Sequence, residues 1–191
     1  MLDHTPDSPV RPSVIRDLEG RFPRAVAAPS RPAASFWIPL AGVAVLDIAT
    51  KYIAHVRLRP VDIPHDVLGD ALRWTLLYNP GAAFGLHLGP YSRWIFLGLT
   101  AVILVILGRL YRATPADRSA RAVALGLVAG GAVGNLINRL WSARGVVDFI
   151  DIGIGGSRWP AFNVADMGVT TGALLLAIVL HREESRASEE P

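Results

Sequence analysis

Asp148 and Asp166 are the side chains of this sequence best suited to acid–base chemistry. They lie 18 positions apart, and a stretch containing Gly153, Gly155 and Gly156 between them can turn the chain back on itself. Asn135, Asn138 and Arg139 close one apolar segment, and Asn163 opens the next just before Asp166. Two carboxyls within hydrogen-bonding reach do not both ionise readily, so one holds a proton while the other stays anionic. Such a pair can take a proton from water as it attacks a carbonyl and can protonate the leaving amine, needing neither a metal nor a covalent intermediate. Asp148 is assigned to the loop between the two segments. Asp151, three residues on, is the nearest decoy carboxylate and is expected to face away or into solvent.

The segments that position these groups are too apolar for an ordinary soluble domain. Of 191 residues, 51% are hydrophobic and only 18% charged, against about 25% charged in typical soluble domains. The mean hydropathy is +0.36. Ala33–Ala54 is long enough to span about 30 Å of hydrocarbon, with Pro39 placed to kink it near its start. Further spans are expected at Tyr91–Tyr111, Ala122–Trp141 and Phe162–Leu180. A polar or ionisable group at membrane depth costs about 2.5–3.5 kcal/mol on insertion scales, so it needs a partner or a task. Asp47 and Lys51 share one helix face at a spacing of four and can pair; a structural ion pair and a direct site role are equally compatible with that spacing. Gly126, Gly130 and Gly134 recur every fourth residue and give the third span a smooth face for close helix packing, a device repeated by Gly168 and Gly172.

The remainder is polar. Residues 1–32, rich in Pro, Arg and acids, form a polar tail expected to be flexible, and without an apolar run they are no cleavable signal peptide. Residues 33–180 make the membrane domain, and 181–191 a second polar tail. Ala71–Tyr78 is strand-like in its apolar and aromatic content, and Asn79–Gly85 (NPGAAFG) supplies turn residues. Four spans leave both termini on one side, together with eleven of the 19 Lys and Arg residues. The positive-inside rule then puts the termini in the cytoplasm and gathers Asp47, Asp148 and Asp166 at the outer face.

Other chemistries find less support. The net charge of +3 comes with scattered arginines and no basic run or aromatic signature for nucleic acid. There is no cysteine, HExxH, GxSxG or P-loop, and no metal or cofactor is expected. The five histidines occupy tails or loops and are assigned nothing. A proton-coupled transporter, which also uses intramembrane carboxylates, is the rival class.

Five motifs in order, LDIATK with Asp47 and Lys51, YNPGAAFG at 78–85, GNLINR at 134–139, VVDF at 146–149 and FNVAD at 162–166, resemble those of lipoprotein signal peptidase, or signal peptidase II. The likeness spans residues 33–180. It implies an aspartic endopeptidase of the bacterial inner membrane with four transmembrane helices and a small extracytoplasmic β-structure, a mainly α fold. It implies removal of signal peptides from diacylglyceryl-modified prolipoproteins just before the lipidated cysteine, with membrane lipid as a partner and globomycin as characteristic inhibitor. On the matching positions, Asp148 and Asp166 become the catalytic dyad. Asn135 and Asn163 orient the dyad or substrate, Arg139 holds substrate or neighbouring polar groups, Asn79 and Gly81 form the extracytoplasmic wall, and Asp47 and Lys51 support the site. The family usually reads GNxxDR, and Asn138 stands where that aspartate is expected. A supporting role for this position beside Arg139, the favoured reading, leaves activity reduced and not lost; a direct role in proton chemistry would leave the chain inactive, and a catalytically weakened lipoprotein-binding relative is the alternative.

Overall fold

In the computed structural model, residues 33–81 and 88–189 are described; the polar tail assigned to residues 1–32 and most of the NPGAAFG turn lie outside them. Four helices carry the fold: α1 (Ala33–Arg57), α2 (Ser92–Ala113, preceded by a 3-10 turn Gly89–Tyr91), α3 (Ser119–Trp141) and α4 (Val164–Glu189). Each contains a window long and apolar enough to cross a membrane, and the protein is a multi-pass membrane protein. Large apolar side chains such as Ile38, Ile53, Val102, Val105 and Leu174 are exposed on the helix surfaces, as contact with lipid requires. α1 runs on past Ala54 and continues through Pro39.

α3 is the central helix, and its glycines explain why. A Cβ on Gly130 would lie 2.6 Å from the backbone oxygen of Leu40, and one on Gly134 2.5 Å from Asp47 Oδ2, while Gly126 lies against the Phe36 carbonyl. Gly126, Gly130 and Gly134 therefore seat α1. Gly131 lies against the Ala165 carbonyl of α4, and on α4 Gly172 lies against Val128 of α3 and Gly168 against Val43 of α1. In lipid, where tails are as apolar as side chains, such close approach is a principal source of helix association. Phe36, Leu107, Ala122, Leu125 and Ala129 fill the interior, and Phe36 stacks on Tyr111 with centroids 4.0 Å apart.

An antiparallel sheet in the order β1 (Pro64–Leu68), β2 (Leu72–Asn79), β3 (Val146–Ile154), β4 (Ser157–Arg158) joins the helices at one end. β2 is the strand expected at Ala71–Tyr78, moved by one residue. β3 corrects the loop assignment of Asp148: the carboxylate stands on a strand, with Leu77 opposite it across the ladder. Leu76, Val147 and Phe149 bury one side of the sheet against Ala54 at the end of α1. Asp151, on the opposite face of β3 from Asp148, is turned away from it as expected but is not free in solvent. It pairs with Arg158 at 2.6 Å and accepts from Thr75 Oγ1 at 3.2 Å, fastening β4 and β2 to β3.

Residues 181–189, expected as a tail, continue α4. Glu183 pairs there with Arg118 and Arg121 at 3.4 and 3.7 Å, and Arg, Glu and Ala are good helix formers without being apolar.

Gly130→Ala should therefore push α1 from α3 and lower the thermal midpoint of the purified protein in detergent, at an overpacking cost of about 1–3 kcal/mol. Gly98→Ala, where an added Cβ meets nothing within 4 Å, should leave it unchanged or slightly raised. Equal effects of the two would refute the packing role of the stripe.

Candidate active site

The start of α4 is the anchor of the site. Asn163 precedes the helix, and its Oδ1 accepts from the Asp166 backbone N–H at 3.0 Å. Asp166 Oδ2 reaches back to accept from the Asn163 N–H at 3.2 Å. This is a reciprocal capping box, which satisfies two backbone donors that a helix start leaves without intrahelical partners. A third, Ala165 N–H, donates to Asp47 Oδ1 at 2.9 Å. Just upstream, Phe162 bridges to Ile150 of β3, with Ile150 N–H donating to Phe162 O at 2.9 Å. Helix start and strand are thus locked two residues from Asp148.

Across that junction, Asn163 Nδ2 donates to Asp148 Oδ1 at 2.7 Å. One residue therefore hydrogen-bonds both carboxylates: Asp148 through its amide nitrogen, Asp166 through its backbone. Asn135 of α3 holds the other oxygen of Asp166, donating from Nδ2 to Oδ1 at 2.9 Å. Its orientation is dictated by Lys51, whose Nζ donates to Asn135 Oδ1 at 2.7 Å and to Asp47 Oδ2 at 2.7 Å. An ammonium has no acceptor, so the amide must turn its oxygen to Lys51 and its NH₂ to Asp166. The Asp47–Lys51 pair is 0% and 2% exposed. Removing either partner from such a buried pair costs about 3–5 kcal/mol, because the other charge is left uncompensated.

Asn79, at the end of β2, donates to Asp148 Oδ2 at 3.3 Å and accepts from Gly81 N–H at 3.0 Å. Arg139 Nη2 donates to Gly81 O at 3.2 Å, and its guanidinium lies 5.6 Å from the Phe96 ring centroid. Asn135, Asn79, Arg139 and both carboxylates border a cavity of about 820 Å³, walled on the apolar side by Trp159, Phe162 and Met167 among others. The RWPAF stretch that brings this aromatic wall is short, and nothing in its spacing marked it as part of the site.

Asp47, Lys51, Asn79, Gly81, Asn135, Arg139, Asp148, Asn163 and Asp166 thus converge. Asn138 does not join them or Arg139. Its Oδ1 accepts from Val147 N–H at 2.7 Å and holds the first turn of chain into β3. An aspartate there would offer the same acceptor, so the expectation of a support beside Arg139 gives way to a support beneath the strand. Arg93, in the first turn of α2, donates to Arg139 O and Leu140 O at 2.7 and 2.9 Å, closing the last carbonyls of α3.

Asp148 is 5% exposed. Burial, reinforced by the Asp166 charge and opposed by the hydrogen bonds from Asn163 and Asn79, raises its pKa from 3.8 to about 7.

A sequence model of signal peptidase II matches residues 40–182. The chain belongs to the signal peptidase II family. It is 37% identical over 150 residues to the lipoprotein signal peptidase of Moorella thermoacetica, covering 78% of this chain and 94% of that one. The Hydrogenovibrio crunogenus lipoprotein signal peptidase is 39% identical over 160 residues, 78% and 89% of the two chains. A bacterial membrane enzyme solved by the in meso method at 2.3 Å resolution superposes with a TM-score of 0.76 at 30% identity, covering 86% of this chain and 98% of the other. Membership makes the protein a membrane peptidase that cleaves signal peptides, and favours that reading over the transporter.

The raised pKa of Asp148 has a consequence for stability. A carboxyl that is harder to ionise when folded binds more protons in the native than in the unfolded state, so stability is lost as pH rises from 3.8 toward about 7. Asp148→Asn escapes that loss. Relative to the parent, this variant should be more stable at pH 8 than at pH 5, as read from thermal midpoints. A difference that is flat or reversed across this range would contradict the buried, protonated carboxyl.

Proposed function

We propose that the protein is an aspartic endopeptidase that removes the signal peptide of diacylglyceryl-modified prolipoproteins, cutting just before the lipidated cysteine. The observation that carries this reading is the bridging of Asp148 and Asp166 by one residue, Asn163, on the wall of a large, mostly apolar cavity. Asp148, buried and holding a proton up to about pH 7, serves as acid; Asp166 serves as base. Asp166 takes a proton from water as the water oxygen bonds to the scissile carbonyl carbon, and Asp148 gives its proton to the carbonyl oxygen. The resulting gem-diol collapses: the C–N bond breaks, the leaving nitrogen takes the proton from Asp166, and Asp148 recovers one from a diol hydroxyl. Atoms and charges balance, and both carboxyls end as they began.

The other converging residues keep the dyad in register. Asn163 and Asn135 orient the two carboxyls, and Lys51, neutralised by Asp47, fixes the Asn135 amide. Asn79, Gly81 and Arg139 form the wall along which the substrate backbone lies, with spare guanidinium N–H groups as donors to peptide carbonyls. Both termini are cytoplasmic and the site opens at the extracytoplasmic face of the inner membrane, in keeping with the arginine bias. A globomycin-like inhibitor would occupy the same cavity.

The substrate's lipid is part of what is recognised. Gly130, Gly131 and Gly134 leave no channel for it, since α1 and α4 fill the space above them; the apolar wall of the large cavity supports that role instead. Each buried methylene contributes about 0.8 kcal/mol, and an anchored chain fixes the depth of the peptide.

Cleavage of a purified lipidated prolipoprotein, followed by gel shift with and without globomycin, tests the reading. Asp148→Asn and Asp166→Asn should each lose at least about 10³-fold in rate, as expected when an acid or base is removed, while Asp151→Asn stays within about tenfold of the parent. Substantial turnover by either dyad variant at equal protein level would remove the assignment.

The same assay run on lipidated and unlipidated forms of one prolipoprotein should show a strong preference for the lipidated form. Equal efficiencies would refute lipid recognition while leaving the dyad intact.

A further inference from the structure

Behind Tyr78, which borders both spaces, a second cavity of about 250 Å³ lies between the ends of α1 and α3 and the strand β2. Two of its polar side chains are already engaged: Lys51 with Asp47 and Asn135, and Asn138 with Val147 N–H. Three more, His55, Tyr78 and Arg144, belong to a chain of hydrogen bonds that starts outside the cavity at Arg59. Arg59 Nη2 lies 2.6 Å from His55 Nε2. A guanidinium only donates, so Nε2 accepts, and the proton of the neutral ring resides on Nδ1. Nδ1–H then donates to Tyr78 Oη at 2.6 Å. Arg144 Nη2 donates to the same oxygen at 2.7 Å, with its guanidinium carbon 3.9 Å from the ring centroid. Both lone pairs of the hydroxyl are occupied, so its own proton is directed elsewhere.

The cluster is also uncompensated in charge. Neither Arg59 nor Arg144 forms an ion pair with a carboxylate among the described residues. Arg144 and the Tyr78 hydroxyl therefore present N–H and O–H donors, with net positive charge, beside a cavity with no acidic side chain in its lining. Fork-shaped donors of this kind match the oxygens of a phosphate group. The location narrows the source of that phosphate. Tyr52 on α1 and Trp141 at the end of α3 are 56% and 62% exposed, the aromatic pattern found at headgroup depth.

We propose that this cavity seats the phosphodiester of a membrane glycerophospholipid, held by Arg144 and the Tyr78 hydroxyl, with Arg59 orienting His55 from outside the cavity. A phosphate bound there braces the end of β2, one residue before Asn79. The site is separate from the carboxylate pair, and its occupancy is read without any cleavage step.

The test titrates the purified full-length chain in detergent with phosphatidylglycerol and resolves bound states by native mass spectrometry, with inorganic phosphate titrated in parallel. The dissociation constant of the first bound lipid should rise about tenfold in Arg144→Gln, as for loss of one charge-assisted contact. Arg59→Gln and Tyr78→Phe should weaken binding in the same direction, and supply the reading if Arg144→Gln lowers the folded yield. Arg109→Gln, an equal charge change at the opposite end of α2, should leave the constant unaltered. Unchanged affinity in the three site variants, or equal weakening by Arg109→Gln, would overturn the proposal. So would inorganic phosphate binding that depends on Arg144 while phosphatidylglycerol binding does not, which would assign a soluble anion in place of a lipid.

Discussion

Everything at the candidate site depends on how the first turn of α4 disposes of its backbone N–H groups. A helix start buried near a membrane cannot leave those donors to water, and each one left bare would cost on the order of 1–3 kcal/mol. Three are taken by side-chain oxygens of Asn163, Asp166 and Asp47. The same requirement that lets α4 begin here therefore brings two carboxylates and an amide to one point. Asp47 comes from α1, so the cap also stitches the first span to the last. Lys51 follows because a buried Asp47 needs a cation, and Asn135 follows because Lys51 has a donor to spare.

The glycines of α3 are what make that convergence geometrically possible. Asp47 reaches Ala165 N–H only because it passes directly over Gly134, where a side chain would occupy the same space. On the adjoining face, Gly131 admits the Ala165 carbonyl of α4. Packing and site are one arrangement: the small residues that bring helices together without a hydrophobic driving force also set the depth at which their polar groups meet. A larger residue at 134 would do more than loosen a contact, since it would displace the carboxylate that caps α4.

Much of this was legible in the sequence because costly residues are conspicuous in an apolar background. Asp47, Lys51, Asn135, Arg139, Asn163 and Asp166 stand out for that reason, and their order gave the family. The β-structure was harder to read. β1 is exposed along its whole length and so has no inside–outside alternation to betray it, while VVDFIDIGI carries glycine and acids that mimic a loop. The end of α4 was misjudged for the opposite reason, since helix propensity and the Glu183 ion pairs, not hydropathy, extend it. Side-chain direction was the least accessible. Asn138 is one residue from Arg139, yet neighbours in a helix diverge by about 100°, which turns Asn138 toward Val147 and Arg139 toward the cavity.

The two carboxylates also differ in what holds them, and the difference fits a division of labour. Asp148 stands on a strand fastened on both sides, by β2 and by the Phe162 bridge, and is the more deeply buried of the two. Its surroundings resist charge, which suits the acid role proposed for it. Asp166 lies at a helix start and receives N–H donors on both oxygens. The two carboxyls are therefore distinguished by the elements that carry them. Asn163 couples the two, because any shift of the α4 cap moves the amide that grips Asp148. A strand and a helix start, cross-linked through one asparagine, can hold two unlike carboxyls close together where two positions on a single helix would share one environment.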